Sequence, residues 1–209
     1  MLREKPVTAL AIGLTLLAAC ASTTTLFSTW KAPDSQAVSP AGRSIAAVFI
    51  TADESLRRSG ENAMVADLES RGAHAFGTYF LLPADQNFDA DTAQARLRAA
   101  GADAVVTMRV VGQDQRITYT PGMVAPEFQR GFGPYWGSGW RNVRQPGTLT
   151  TDTVVSVETL LFSLPAGQGS RLLWASSSRT TNPSDAGALA REVAAATARE
   201  MVAQGLVAH

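Results

Sequence analysis

The feature that most constrains this chain is an alternation of strand and helix signals that begins at residue 44. Ile45-Ala46-Ala47-Val48-Phe49-Ile50 is an unbroken apolar run, as a strand buried on both faces requires. Thr51-Ala52-Asp53-Glu54 follows with the spacing of a capping box, a Thr with Glu three residues on. The pattern predicts a helix to about Arg71, with Leu56, Ala63, Met64 and Leu68 along one side and Gly72 as C-terminal cap. Gly60 inside it costs up to about 1 kcal/mol against Ala, which a close approach would explain. His74 to Phe80 reads as a second strand and Pro83 to Phe88 as a loop. Asp89 or Asp91 caps a second helix through Ala93, Leu97 and Ala100, ended by Gly101. Ala104 to Val111 reads as a third strand. A βαβαβ unit favours parallel strand pairs joined by right-handed crossovers.

The pattern then changes. Residues 120–147 are rich in Gly, Pro and aromatics and read as an irregular loop. Thr153 to Leu164 alternates, with Val155, Val157, Thr159 and Leu161 on one face. Pro165 to Gly169 is a hairpin loop, and Arg171 to Ser176 returns as a strand. Ser184 is the expected cap of a last, Ala-rich helix to about Gln204, with Leu189, Val193 and Met201 on its buried side. The expectation is an α/β fold, α+β remaining open. It has a single mixed sheet in the order βαβαβ–loop–ββα, and one domain over residues 43–209.

Composition narrows the function classes. The chain is 45% hydrophobic and 17% charged, which suits a globular fold. Lys and Arg balance Asp and Glu at a net charge of 0, so no basic excess steers nucleic acid, and no nucleic-acid partner is expected.

The N-terminus has a different character. Arg3 and Lys5 precede an apolar stretch from Val7 to Leu17, and Leu17-Ala18-Ala19 leads into Cys20, the one cysteine of the chain. The stretch is short of the ~20 residues that a transmembrane helix needs and has the layout of a secretory signal. Leu17-Ala18-Ala19-Cys20 resembles the bacterial lipoprotein signal. That resemblance implies a signal peptide over residues 1–19 and cleavage before Cys20. It also implies acylation of the Cys20 thiol and of its new amino group, palmitate among the acyl chains. An ordinary signal peptide with Cys20 near the cut is the alternative. Removing Arg3, Glu4 and Lys5 with the leader takes the net charge from 0 to −1. Two or more acyl chains hold a protein on a membrane where one binds reversibly. Ala21, rather than aspartate, follows the cysteine, which leans toward the outer membrane, periplasmic side, with the inner membrane still open. Residues 20–42 read as the lipidated cysteine and a Ser/Thr/Pro tether. Leu26, Phe27 and Trp30 within it either pack back as an edge element, the favoured reading, or sit near headgroups.

Catalytic groups are sparse. There are 2 histidines, His74 at a strand start and the terminal His209. A three-histidine zinc site is impossible, and no Gly-x-Ser-x-Gly turn occurs. Asp53 and Glu54 suit a helix N-terminus, where the dipole favours negative charge. Glu61, following Arg57 and Arg58, reads as a helix-surface pairing worth a few tenths of a kcal/mol. Asp85, Asp89 and Asp91 lack the spacing of a calcium loop. Thr51 to Ser55 holds no glycine for a phosphate to approach, against nucleotide binding. No cofactor or metal is expected.

The unusual segment is Phe128 to Trp140, dense in aromatics and flanked by arginines. Three readings compete: a loop folded back on the sheet, a contact surface for a protein partner or second copy, and a glycan-stacking surface. Trp, Tyr and Arg are the residues that anchor interfaces. The candidate binding residues are Arg130, Phe132, Tyr135, Trp136 and Trp140.

Trp30-Lys31-Ala32-Pro33, Ile45 to Ile50, Arg57-Arg58 with Glu61, Gly101 to Val106 and Leu173-Trp174 together resemble an uncharacterised lipoprotein family of the Gram-negative envelope. At fold level the chain is similar to the amino-terminal domain of the Tol–Pal periplasmic component and the periplasmic domain of the curli secretion lipoprotein. The resemblance implies a non-enzymatic, membrane-anchored periplasmic lipoprotein that binds another envelope protein or itself. The alternatives are a hydrolase-like enzyme with a carboxylate-only site, and a glycan-binding module built on the aromatic loop.

Overall fold

The computed structural model describes residues 23–35, 44–83, 86, 88–120, 148–167 and 169–207. They build one mixed, six-stranded sheet with helices on both faces, an α/β fold. The elements are β1 (Thr23–Lys31), β2 (Ser44–Ile50), α1 (Glu54–Glu69), β3 (His74–Gly77) and α2 (Ala90–Ala99). Then follow β4 (Ala102–Thr120), β5 (Thr148–Ser163), β6 (Arg171–Thr181) and α3 (Ala186–Ala203). The strand order is β1-β6-β5-β4-β2-β3. β2 pairs in parallel with β3 and β4, and the β4–β5, β5–β6 and β6–β1 pairs are antiparallel. The predicted βαβαβ half supplies the parallel part, and the hairpin supplies the antiparallel part.

Alternation sorts β2 between two cores. Ile45, Ala47 and Phe49 face α1 and α3 with Met64, Leu68, Val193 and Met201. Ala46 packs on the other face with Leu97 of α2, Val105 and Leu164. Val155, Val157, Thr159 and Leu161 are buried as the period predicts, and Trp174 is completely buried beside them. Gly60 is the close approach expected of it: a Cβ there would lie 2.4 Å from Phe49 Cδ2.

The helix caps differ from expectation by small shifts. Asp53, not Thr51, caps α1, accepting from the amides of Ser55 (2.9 Å) and Leu56 (3.0 Å). Thr51 Oγ1 instead accepts from the Asp53 amide. Asp89 caps α2. Asp185, not Ser184, caps α3, because its carboxylate reaches the Ala188 amide at 2.7 Å. Gly72 takes φ 86° just past α1, and the Ala73 amide closes back on the Leu68 carbonyl at 3.1 Å. That is a Schellman-type ending.

Three strand boundaries are corrected. The second strand stops at Gly77 rather than reaching Phe80, because Thr78 and Tyr79 give their amides to a buried carboxylate instead of a ladder. The Ser/Thr-rich stretch read as tether contributes an edge strand, β1, over Thr23–Lys31. The reading of Leu26, Phe27 and Trp30 as an edge element agrees with this. Thr24 Oγ1 donates to Glu192 of α3 at 2.9 Å, and Lys31 Nζ donates to the Gln204 carbonyl at the end of α3. There the cation meets the negative end of the helix dipole. Phe27 and Trp30 are each 49% exposed, and the Arg179 guanidinium lies 4.0 Å over the Phe27 ring.

The third correction is larger. β4 does not stop at Val111 but runs to Thr120, and β5 starts at Thr148 rather than Thr153. A bulge between Val110 and Gly112 falls where β4 parts from β2, whose last pair is Ile50 with Arg109. Bulges bend a strand and increase its twist. Past Val154, where β6 also ends, β4 and β5 continue as a two-stranded ribbon closing on the pair Thr120–Thr148.

Candidate functional site

Cys20, Arg130, Phe132, Tyr135, Trp136 and Trp140, the site residues predicted from sequence, lie outside the described residues. The structure does fix where the aromatic segment leaves and rejoins the fold. Thr120 and Thr148 are paired neighbours at the end of the ribbon, so residues 121–147 depart from that point and return to it. The ribbon is exposed on both faces. Ile117 is 72% and Leu149 68% exposed. Tyr119 pairs with Leu149, and Ile117 pairs two residues away with Thr151, so Ile117 and Leu149 lie diagonally on one ribbon face. On the opposite face Arg116 stands across from Asp152 and Thr118 from Thr150. Asn182, at φ 50°, fixes the ribbon's base: its amide donates to the Thr153 carbonyl and its Oδ1 accepts from the Thr153 amide, both 2.8 Å.

A second feature lies at the C-terminal end of β2. The chain winds from β2 through α1 to β3 on one side, then through α2 to β4 on the other. Such a reversal leaves a crevice beyond the carboxyl ends of the parallel strands. A cavity of ≈ 400 Å³ occupies it. Val48, Ile50, Leu82, Phe88 and Ala93 give it apolar walls, and Thr51, Gln86 and Arg57 are its polar lining.

Arg57 and Glu61 overturn the expectation of a surface pair. Arg57 is 5% exposed and Glu61 0%. Glu61 Oε1 accepts from Arg57 Nε at 3.0 Å, Phe49 N at 3.3 Å and Thr78 Oγ1 at 3.2 Å. Its Oε2 accepts from the amides of Thr78 at 2.5 Å and Tyr79 at 2.7 Å. One carboxylate thus ties α1 to β2 and to the turn after β3. Arg58, the other proposed partner, pairs instead with Glu54 at 2.8 Å on the exposed side. The sequence carried a signal for this burial. Arg57, Gly60, Glu61, Met64 and Leu68 follow helical spacing, so the pair continues the buried stripe of α1.

The other titratable candidates have local roles. Asp53 and Asp89 are caps, Asp91 is exposed in the first turn of α2, and His74 is exposed at the start of β3. Asp85 and His209 lie outside the described residues. Among the described residues no group of three or more His, Cys, Asp or Glu converges, and no helix is long and apolar enough to cross a membrane.

The class these features define is an α/β protein with a mixed sheet, a projecting β-ribbon and a crevice at the sheet's switch point. Solved structures similar to this chain include two PelC dodecamers from Paraburkholderia phytofirmans. One, a variant, has 15% identity and a TM-score of 0.46, covering 90% of this chain and 100% of that chain. The other has 16% identity and a TM-score of 0.46, covering 90% and 99%. Lipoprotein GNA1162 from Neisseria meningitidis has 16% identity and a TM-score of 0.37, covering 77% of this chain and 99% of that chain. Neither a protein-family model nor a curated protein matches the chain. The structural likenesses concern the arrangement of elements, and no activity follows from them.

Proposed function

We propose that the chain is a non-enzymatic periplasmic lipoprotein, held on the outer membrane by acyl chains on Cys20, whose ribbon and aromatic segment bind another envelope component. The anchoring reading rests on Leu17-Ala18-Ala19-Cys20 behind a basic, apolar leader. The fold-level resemblances to the Tol–Pal and curli components belong to the same reading. One observation carries the binding reading. The ribbon extends past every neighbouring strand, keeps Ile117 and Leu149 in solvent, and hands the chain to the segment holding Trp136 and Trp140. A two-stranded ribbon is marginal on its own, and exposed apolar groups grouped together mark contact surfaces. The partner is an envelope protein or a second copy of the chain.

The test is photocrosslinking in cells from position 117, in the otherwise unaltered chain and in the Trp136→Ala, Trp140→Ala double variant. The expected result is a discrete crosslinked species that the double variant loses while keeping its fold by circular dichroism. A crosslink pattern unchanged by the double variant contradicts the role of those rings. Global unfolding of the double variant shows them to be core residues, and the binding reading then fails.

A further inference from the structure

We infer that the crevice at the C-terminal end of β2 is a binding site for a small monocarboxylate with an apolar body, of the arylalkanoate or short alkanoate kind, with Arg57 as its carboxylate receptor. The inference does not depend on the anchor or on the ribbon.

The first ground is the state of Arg57. Burying a guanidinium is costly unless its donors find acceptors. Arg57 is 5% exposed, yet its one described contact is Nε to Glu61 Oε1. An Arg–carboxylate pair that served structure alone would gain most from a two-pronged fork. Here Glu61 has no room for the second prong, since its other oxygen is taken by the Thr78 and Tyr79 amides. The described hydrogen bonding of Arg57 is confined to Nε, and the side chain lines the cavity. Glu61 fixes the guanidinium through Nε, which lowers the entropic cost of a further contact to its other nitrogens.

The second ground is the cavity. Its volume of ≈ 400 Å³ falls in the range of small-ligand sites. Its walls are apolar, with Val48 and Ile50 from β2, Leu82 and Phe88 from the connection to α2, and Ala93 from α2 itself. None of the described lining residues is acidic. The described lining thus pairs one cation with hydrocarbon, which suits an anion with an apolar body. The α1 N-terminus is not the receptor, because Asp53 already occupies the amides of Ser55 and Leu56. A polyphosphate would meet one arginine and mostly hydrocarbon, a poor match for its charge.

The test is a methyl-detected NMR titration of the full chain with 3-phenylpropionate and, separately, its uncharged isostere 3-phenylpropionamide. Saturable shifts are expected at the Val48, Ile50 and Leu82 methyls, with a Kd of about 1 mM for a ligand of this size. The amide should bind about tenfold more weakly, the loss of a charge-assisted contact. Ala93→Leu fills the cavity from α2 without touching the Arg57–Glu61 pair and should also weaken binding about tenfold. Equal affinity for acid and amide overturns the role of Arg57. Indifference to Ala93→Leu, or no saturable shift at those methyls, overturns the site.

Discussion

Glu61 is the residue on which the parallel half of the sheet is assembled. Its carboxylate is fully buried and joins Arg57, Phe49, Thr78 and Tyr79. Glu61→Gln would turn an amide NH₂ group toward donors whichever way it is placed, and would leave Arg57 buried without a counter-charge. Breaking one side of a buried pair costs about 3–5 kcal/mol, and a drop of that size in urea unfolding is expected. A change within experimental scatter would contradict the burial of the pair. Gly60 makes a second, sharper prediction. Propensity alone says that Ala there should stabilise α1 by about 1 kcal/mol. The 2.4 Å approach of its Cβ to the buried Phe49 ring predicts the opposite sign. Overpacking costs about 1–3 kcal/mol, so Gly60→Ala should lower the urea midpoint, and a raised midpoint would show that the ring can give way.

At the scale of elements, the caps make stability depend on pH. The Ala188 amide bonded to Asp185, and the Thr92 amide bonded to Asp89, hold both carboxyls below the usual carboxylate range. The unfolded chain binds those protons more readily than the folded one. Their contribution is therefore complete above the ordinary carboxylate pKa and is lost as pH falls through the lowered folded values. Asp67 acts in the opposite sense, since burial raises its carboxyl. Melting temperature should drop on acidification below about pH 4. The Asp89→Asn, Asp185→Asn variant, which keeps capping oxygens but not the titration, should drop less. An equal drop in both chains would place the acid sensitivity elsewhere. Legibility also divides by element. The strands and helices of residues 44–111 were readable because each must present an apolar face to a core. β1 was read as tether because Thr23-Thr24-Thr25 suits a linker as well as an edge strand, and an edge exposes one face. The ribbon was missed because Gln113-Asp114-Gln115-Arg116 face no core and leave no alternation to read. The charges of Arg57 and Glu61 point to the surface, whereas their spacing puts them on the buried stripe.

For the whole molecule, the described residues form a body with two distinct outlets, a crevice at one end of β2 and a ribbon that continues β4 and β5. The described lining of the crevice is one arginine, Thr51, Gln86 and hydrocarbon, and the ribbon presents exposed side chains. Both suit contact with another molecule, and the acyl anchor proposed on Cys20 would set where that contact occurs. The anchor is thus the central claim, and one measurement reaches it directly. Intact and peptide mass spectrometry of the chain purified from membranes should give an N-terminal peptide that begins at Cys20 and carries acyl chains on both thiol and amino group. Cys20→Ser should yield a chain that is unprocessed or released from the membrane. An unmodified mature Cys20, or a terminus cut at another residue, would contradict the account.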